Sequence, residues 1–341
     1  MNVLLPAAFV LCWSSGFIGA KLGAGSAGAI TLLMWRFVLP AVPLLAWAVL
    51  RRSSWRRLGI RDLARQRVIG VLSQSGYLFT VYHAIQLGVS SGTTALIDGT
   101  QPLVAGALAG PLLGQAVTGR QWLGLLLGLT GVAVVTTADA SAGSGVPGFA
   151  YLVPFLGMLS LVAATFLEGR SPAPVAPAVA MTIHCGASAV VFTVLAGATG
   201  NAAPPAEPVF WTAVVWLVVL STFGGYGLYW LVMRRSGVTR VNALMFLMAP
   251  VTAVWGALMF DEPFGARTAV GLVIALAAVV VVHGGARTPR MPCAGASIGS
   301  PHRGRVEGGT TGRAAQRLED RRPEGEGQHH GQCGARQVPP Q

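Results

Sequence analysis

Two charged residues stand where the chain is otherwise apolar: Arg36, among Leu32–Leu50, and Asp98, among Ala95–Leu113. A charge inside hydrocarbon costs about 2.5–3.5 kcal/mol on insertion scales, which makes each a functional candidate. An arginine at that depth can hold an anionic group of a substrate. An aspartate can take up and release a proton during a transport cycle. The alternative for both is a fixed structural ion pair, or Arg36 resting on backbone carbonyls. Trp13, Tyr77, Tyr82, Tyr226, Tyr229 and Trp230 form a second set. Aromatic bodies with polar tips can line a pocket, or simply pack between helices. Gln74, Gln101 and Asn242 are further polar candidates. Pro102 and Pro250 each remove a backbone hydrogen bond and can kink a helix, as a gate or as a static packing feature.

Other chemistries find no residues. No Gly-x-x-x-x-Gly-Lys-Ser/Thr loop is present for a nucleotide-driven pump, and no His-Glu-x-x-His for a metallopeptidase. His83, His184 and His283 stand on different segments, and Cys12, Cys185, Cys293 and Cys333 have no C-x-x-C spacing, so neither a metal site, a cofactor nor a disulfide framework is expected. Glu168 is expected at the membrane interface beside Arg170. Asp261 and Glu262 precede Pro263, which reads as the first turn of a last helix whose dipole suits acids.

These residues need long apolar elements to hold them. The chain is 53% hydrophobic and 11% charged, against about 25% charged in soluble domains. A bilayer-spanning helix takes about 20 mainly apolar residues. Helices satisfy their own backbone in lipid, and the alternating ten-residue segments of a barrel are missing. The expected fold is an all-α membrane protein with ten transmembrane helices at 3–20, 28–49, 68–87, 91–113, 119–137, 149–169, 176–199, 209–233, 239–260 and 266–284. Met1-Asn2-Val3 lacks the basic start of a cleavable signal, so the first of these is expected to remain. Counting at 1.5 Å per residue, Arg36 and Asp98 lie at matching depths, roughly 10–14 Å from one face.

The elements repeat. Gly76-Tyr77, Gly88-Val89, Ala95-Leu96, Pro102, Ala105, Arg120, Gly124-Leu125 and Val134-Val135 recur as Gly225-Tyr226, Gly237-Val238, Ala243-Leu244, Pro250, Ala253, Arg267, Gly271-Leu272 and Val281-Val282. Residues 1–137 and 149–285 are therefore expected to be two five-helix halves. Duplicated halves are a feature of secondary transporters. Five is odd, so the halves must be inverted. Charge agrees: Arg51–Arg67, Arg120, Arg170, Arg234, Arg235 and Arg240 fall on one side, with only Lys21 and Arg267 on the other. The positive-inside rule then makes both termini cytoplasmic. The net charge of +12 follows from those loops and from the tail 286–341. That tail is rich in Gly, Arg, Pro and Gln, so a disordered cytoplasmic segment is expected. Nucleic-acid binding is not expected.

Trp13-Ser14-Ser15-Gly16-Phe17, then Trp35-Arg36-Phe37, and the stretches Gly88–Pro102 and Gly237–Pro250 resemble EamA-type carriers of the drug/metabolite transporter superfamily. The resemblance covers residues 3–284. It implies ten helices in two inverted five-helix halves, and transport of small metabolites, often outward. Family members usually carry Gly-Glu at the ends of the fourth and ninth helices; here Gly114-Gln115 and Asp261-Glu262 stand there. The expected function is a secondary transporter of a small metabolite across the cytoplasmic (inner) membrane, an exporter working by alternating access. Its partners would be the lipid bilayer, the substrate and, for coupling, protons. Gly124-x-x-x-Gly128 allows close helix approach, for a homodimer or within the bundle. An intramembrane enzyme and a non-transporting scaffold are the alternatives.

Overall fold

The computed structural model describes residues 4–51, 55, 58–113, 118–142, 145–171 and 175–283. Among them there are helices and turns and no strand. In chain order they are α1 (Leu4–Ala24), α2 (Ala29–Leu50), α3 (Ile60–Gly70) running through a wider-wound π stretch (Val71–Gly76) into α4 (Tyr77–Gln86), α5 (Ser91–Gly99), α6 (Gln101–Leu113) and α7 (Gly119–Ala142). After a short 3₁₀ turn (Gly148–Leu152) come α8 (Val153–Gly169), α9 (Pro177–Ala198), and α10 (Pro208–Trp216), which runs through a second π stretch (Leu217–Gly225) into α11 (Tyr226–Phe246). Then follow α12 (Met248–Phe260) and α13 (Ala266–His283). Seven helical stretches among the described residues are long and apolar enough to cross a membrane. The tail 286–341 lies outside the described residues.

Apolar side chains on the outer faces stay uncovered, among them Val42, Leu45, Leu126, Leu156, Val190, Leu258, Val273 and Val280. In water such a surface would be untenable; against lipid tails it is matched. Phe9, Phe37, Tyr82, Phe192 and Phe210 face inward. One core cluster joins Phe17, Leu32, Leu33, Phe37, Tyr82, Phe192, Phe210 and Leu217 across α1, α2, α4, α9 and α10.

Packing pairs elements from opposite halves. α2 lies along α9, α5 along α12 and α7 along α13, while α1 packs on the second π stretch and its flanking helices, and α4 packs on α8. The closest approaches sit at glycines. A Cβ on Gly124 would stand 3.2 Å from the Ala278 carbonyl oxygen, and one on Gly271 would stand 2.9 Å from that of Gly131. Gly124 and Gly271 are counterparts in the repeat, as are Gly131 and Ala278, so the two contacts pair the same repeat positions. The Gly124-x-x-x-Gly128 face is thus occupied by α13 and by Leu103 of α6 within the chain.

Two boundaries differ from expectation. Gly88 closes α4: it adopts φ +103, with Gly88 N–H bonded to Ile85 O and Val89 N–H to Ala84 O, a left-handed helix terminus. Its repeat counterpart Gly237 does not. α11 continues through it to Phe246, and the break falls at Leu247. The reason lies in what holds the start of α5. Ser90 caps it through Thr93 N–H, the Asp139 carboxylate accepts Ser90 N–H, and Glu262 accepts Ser91 N–H. In the repeat alignment the second copy has Ala286 and Gln115 at the positions of Asp139 and Glu262, and neither is an acid. The other difference concerns Pro102 and Pro250. Neither is mid-helix. Each lies in the first turn of a new helix, after breaks at Thr100 and Leu247 that fall one residue apart in the repeat alignment.

Candidate functional site

The two π stretches occupy equivalent places and end at Gly76 and Gly225, one residue before Tyr77 and Tyr226. Wider winding frees backbone carbonyls and often marks a working site. Here Ser160 Oγ donates to the freed Leu72 carbonyl at 2.7 Å. Gly16 has no side chain to hold the second stretch off: a Cβ there would meet Ser221 Oγ at 2.8 Å. Ser221 is thereby brought against α1 and α2.

Arg36 is 2% exposed. Its Nη1 donates to the Tyr82 hydroxyl and its Nη2 to Ser221 Oγ at 3.0 Å. The guanidinium carbon lies 5.5 Å from the Tyr82 ring centre and 5.7 Å from that of Phe37, where ring quadrupoles offset part of its lost hydration. Nε has no partner. Asp98 is 8% exposed. Its Oδ2 accepts from the Tyr77 hydroxyl at 2.8 Å, and its Oδ1 has no partner. Arg36 and Asp98 form no ion pair; each is bonded to its own tyrosine instead.

Arg36, Tyr82 and Ser221 line a cavity of about 30 Å³. A second cavity, of about 500 Å³, is lined by Gln74, Gln101, Pro102, His184, Tyr229 and Trp230 among others. Trp13, Tyr77 and Tyr226 line both. The Trp13 ring centre is 5.5 Å from that of Tyr226 and 5.8 Å from that of Tyr229. The three shared aromatics are therefore a partition, with the cation behind it and the larger space before it. Gln101 reaches α8 through Thr165 Oγ1 at 3.1 Å. Pro102 is on the wall of the large cavity, whereas Pro250 borders a separate small pocket with Thr100 and Phe246. The Asn242 side chain lies outside the described residues.

At the other end of the bundle the helices are tied by polar contacts. Lys21 Nζ, at the end of α1, lies 3.3 Å from Glu262 Oε1. Glu262 also accepts from Ser91 N–H at 3.0 Å and from Ser91 Oγ at 2.5 Å. Gln86 bonds Ala29 N–H and the Ala27 carbonyl. This corrects the expectation for Glu262. α13 begins only at Ala266, Asp261 takes a left-handed φ of 52° as the cap of α12, and Glu262 turns inward to 9% exposure. Sequence reasoning also missed Ser221 and the pair Gln66 and His184. A lone serine beside the apolar run Val214–Leu220 was the available signal for Ser221; nothing in the spacing joins Gln66 to His184.

No group of three His, Cys, Asp or Glu side chains among the described residues is placed to hold a metal ion.

Comparison with known proteins now bears on this arrangement. The model of the EamA-like transporter family matches residues 1–137 and again 148–284. This chain belongs to the EamA-like transporter family. The family, together with the apolar helices, makes it a multi-pass membrane transporter. A protein of Archaeoglobus fulgidus described as an uncharacterized transporter is 24% identical over 285 residues, covering 81% of this chain and 95% of that one. A solved crystal structure superposes with a TM-score of 0.58 at 18% identity, covering 82% of this chain and 95% of the other, a likeness of fold alone.

Proposed function

We propose that this EamA-like transporter is a secondary carrier that exports a small metabolite across the cytoplasmic membrane by alternating access, and that it is not an enzyme. Ten spans in two inverted five-helix halves are the reading that accounts for the cross-half packing and the paired glycine contacts. The observation that carries the mechanism is the contrast between the ends. A cavity of about 500 Å³ lies toward Thr165 and Pro177, and the end bearing Lys21, Ser91 and Glu262 is closed by polar contacts. With the arginine-rich loops cytoplasmic, the cavity faces the cytoplasm and the closure is external. Alternating access then requires the Lys21–Glu262–Ser91 closure to release as the α6 and α11 segments that line the cavity shut the inner side about the breaks at Thr100 and Leu247. No observation favours an intramembrane enzyme or a scaffold.

Two measurements test this. Cells with and without the protein are compared for intracellular metabolites, and a compound that accumulates in its absence is expected. In a background without other cysteines, Gln101→Cys should react with a membrane-impermeant maleimide from the cytoplasmic side, and the accumulating compound should slow that reaction. Equal metabolite pools together with an unreactive Gln101→Cys overturn the reading.

A further inference from the structure

His184 faces the large cavity from α9, and behind it runs a short polar chain. Gln66 on α3 is 1% exposed. Its Nε2 donates to Glu168 Oε2 at 2.9 Å, and its Oε1 lies 2.8 Å from His184 Nε2. The exposed carboxylate of Glu168 can only accept, so it draws the amide nitrogen of Gln66 toward itself. The amide oxygen must then face the histidine and can only accept. His184 Nε2 therefore carries the proton, and Nδ1 holds a lone pair. Nδ1 has no hydrogen bond to any described residue. α3 and α9 touch at this level, since a Cβ on Gly70 would meet the His184 Cα at 2.7 Å, and the ring has little freedom to turn. One helical turn further along the same wall is Gln74. It is 1% exposed, and its Oε1 is buried without a partner. Buried polar groups left unpaired are uncommon and ask for an explanation. The rings of Trp13, Tyr229 and Trp230 line the same cavity.

We propose that Glu168 and Gln66 fix His184 as a hydrogen-bond acceptor on the cavity wall, and that this wall with Gln74 selects a ring compound bearing an N–H or O–H donor. The ring stacks on the aromatic side while its donor reaches His184 Nδ1. Gln66 acts as a positioning residue and His184 as the contact. Among the described residues no cationic side chain lines this cavity; Arg36 is behind the aromatic partition, so the first recognition is of a donor and not of an anion. This inference rests on the carrier reading for its meaning, but its test does not use transport.

The full chain in lipid nanodiscs is titrated with indole and with 1-methylindole, which differ in one N–H, and binding is followed by calorimetry. Indole is expected to bind about tenfold more tightly, the loss of one well-placed hydrogen bond. His184→Phe keeps a ring, and Gln66→Leu removes the positioning contact. Each should bring the ratio near one. Equal affinities in the parent protein, no binding of indole up to millimolar concentration, or a ratio retained in a folded His184→Phe overturns the proposal. Should either variant fail to fold, Glu168→Leu, altered at the exposed end of the chain, gives the same comparison. A tenfold ratio in a protein that moves no metabolite overturns only the carrier reading. A transported metabolite with no such ratio overturns only this one.

Discussion

Tyr77 donates its hydroxyl to Asp98 across 2.8 Å, and the same ring walls the Arg36 cavity off from the larger one. A carboxyl buried in α5 is thereby tied to the partition between the two cavities. Its second oxygen, Oδ1, is left without a partner, and protonation lowers the cost of that burial. A change at the Asp98 carboxyl therefore acts directly on the Tyr77 hydroxyl.

Asp98→Asn keeps an acceptor for Tyr77 and removes the titration. The variant should fold and bind normally, yet its transport in liposomes should no longer respond to an imposed pH gradient. Measuring initial rates with and without the gradient decides the matter; a response like the parent's removes Asp98 from coupling.

Tyr77→Phe removes the tie without removing the ring. A lost buried hydrogen bond costs about 1 kcal/mol, and more where the acceptor is charged. Thermal unfolding of the purified protein should show a modest loss, and combining Tyr77→Phe with Asp98→Asn should cost less than the sum of the two.

Arg36 and Asp98 make no ion pair, so Arg36→Met and Asp98→Leu should not rescue each other. A structural pair would lose about 3–5 kcal/mol on breaking and regain much of it in the double variant. Here the two costs should add to within about 0.5 kcal/mol. Denaturant titration of both single variants and of the double variant provides the comparison.

Glu262→Gln weakens three contacts at the closed end together: the ion pair with Lys21 and both bonds to Ser91. It should favour opening on that side. Labelling of Ser90→Cys by an impermeant reagent from outside should rise several-fold, and unchanged labelling would mean that other contacts keep this face shut.

Gly131→Leu should be among the most damaging substitutions in the chain. Its Cβ would stand 2.7 Å from the Gly271 carbonyl oxygen, which is backbone and cannot rotate away. A cost of at least the 1–3 kcal/mol of ordinary overpacking is expected, read as loss of monodisperse protein in size-exclusion chromatography. Gly25→Leu, in open space, is the control.

The length of the apolar runs, the duplication at Gly76-Tyr77 and Gly225-Tyr226, and the isolation of Arg36 and Asp98 are all visible residue by residue. Hydrophobic length and the cost of a charge in lipid are local quantities, so composition alone reports them. Which groups meet is a different kind of fact. Successive residues on a helix turn by about 100°, and an error of one residue in register moves a side chain to another face. Helical counting therefore put Arg36 and Asp98 at one depth, and only the crossing of α2, α4 and α5 gave each a separate tyrosine. Glu262 looked like a first-turn acid because Pro263 follows it; Asp261 at φ 52° instead turns it onto the amide end of α5. Gly237 repeats Gly88 in sequence and not in conformation, because two carboxylates contributed by distant helices exist for one copy alone. The sequence by itself determined a duplicated apolar chain with charged and aromatic residues at its centre. The tertiary structure decided the partners, since each partnership joins different helices and is set by how closely glycines let those helices approach.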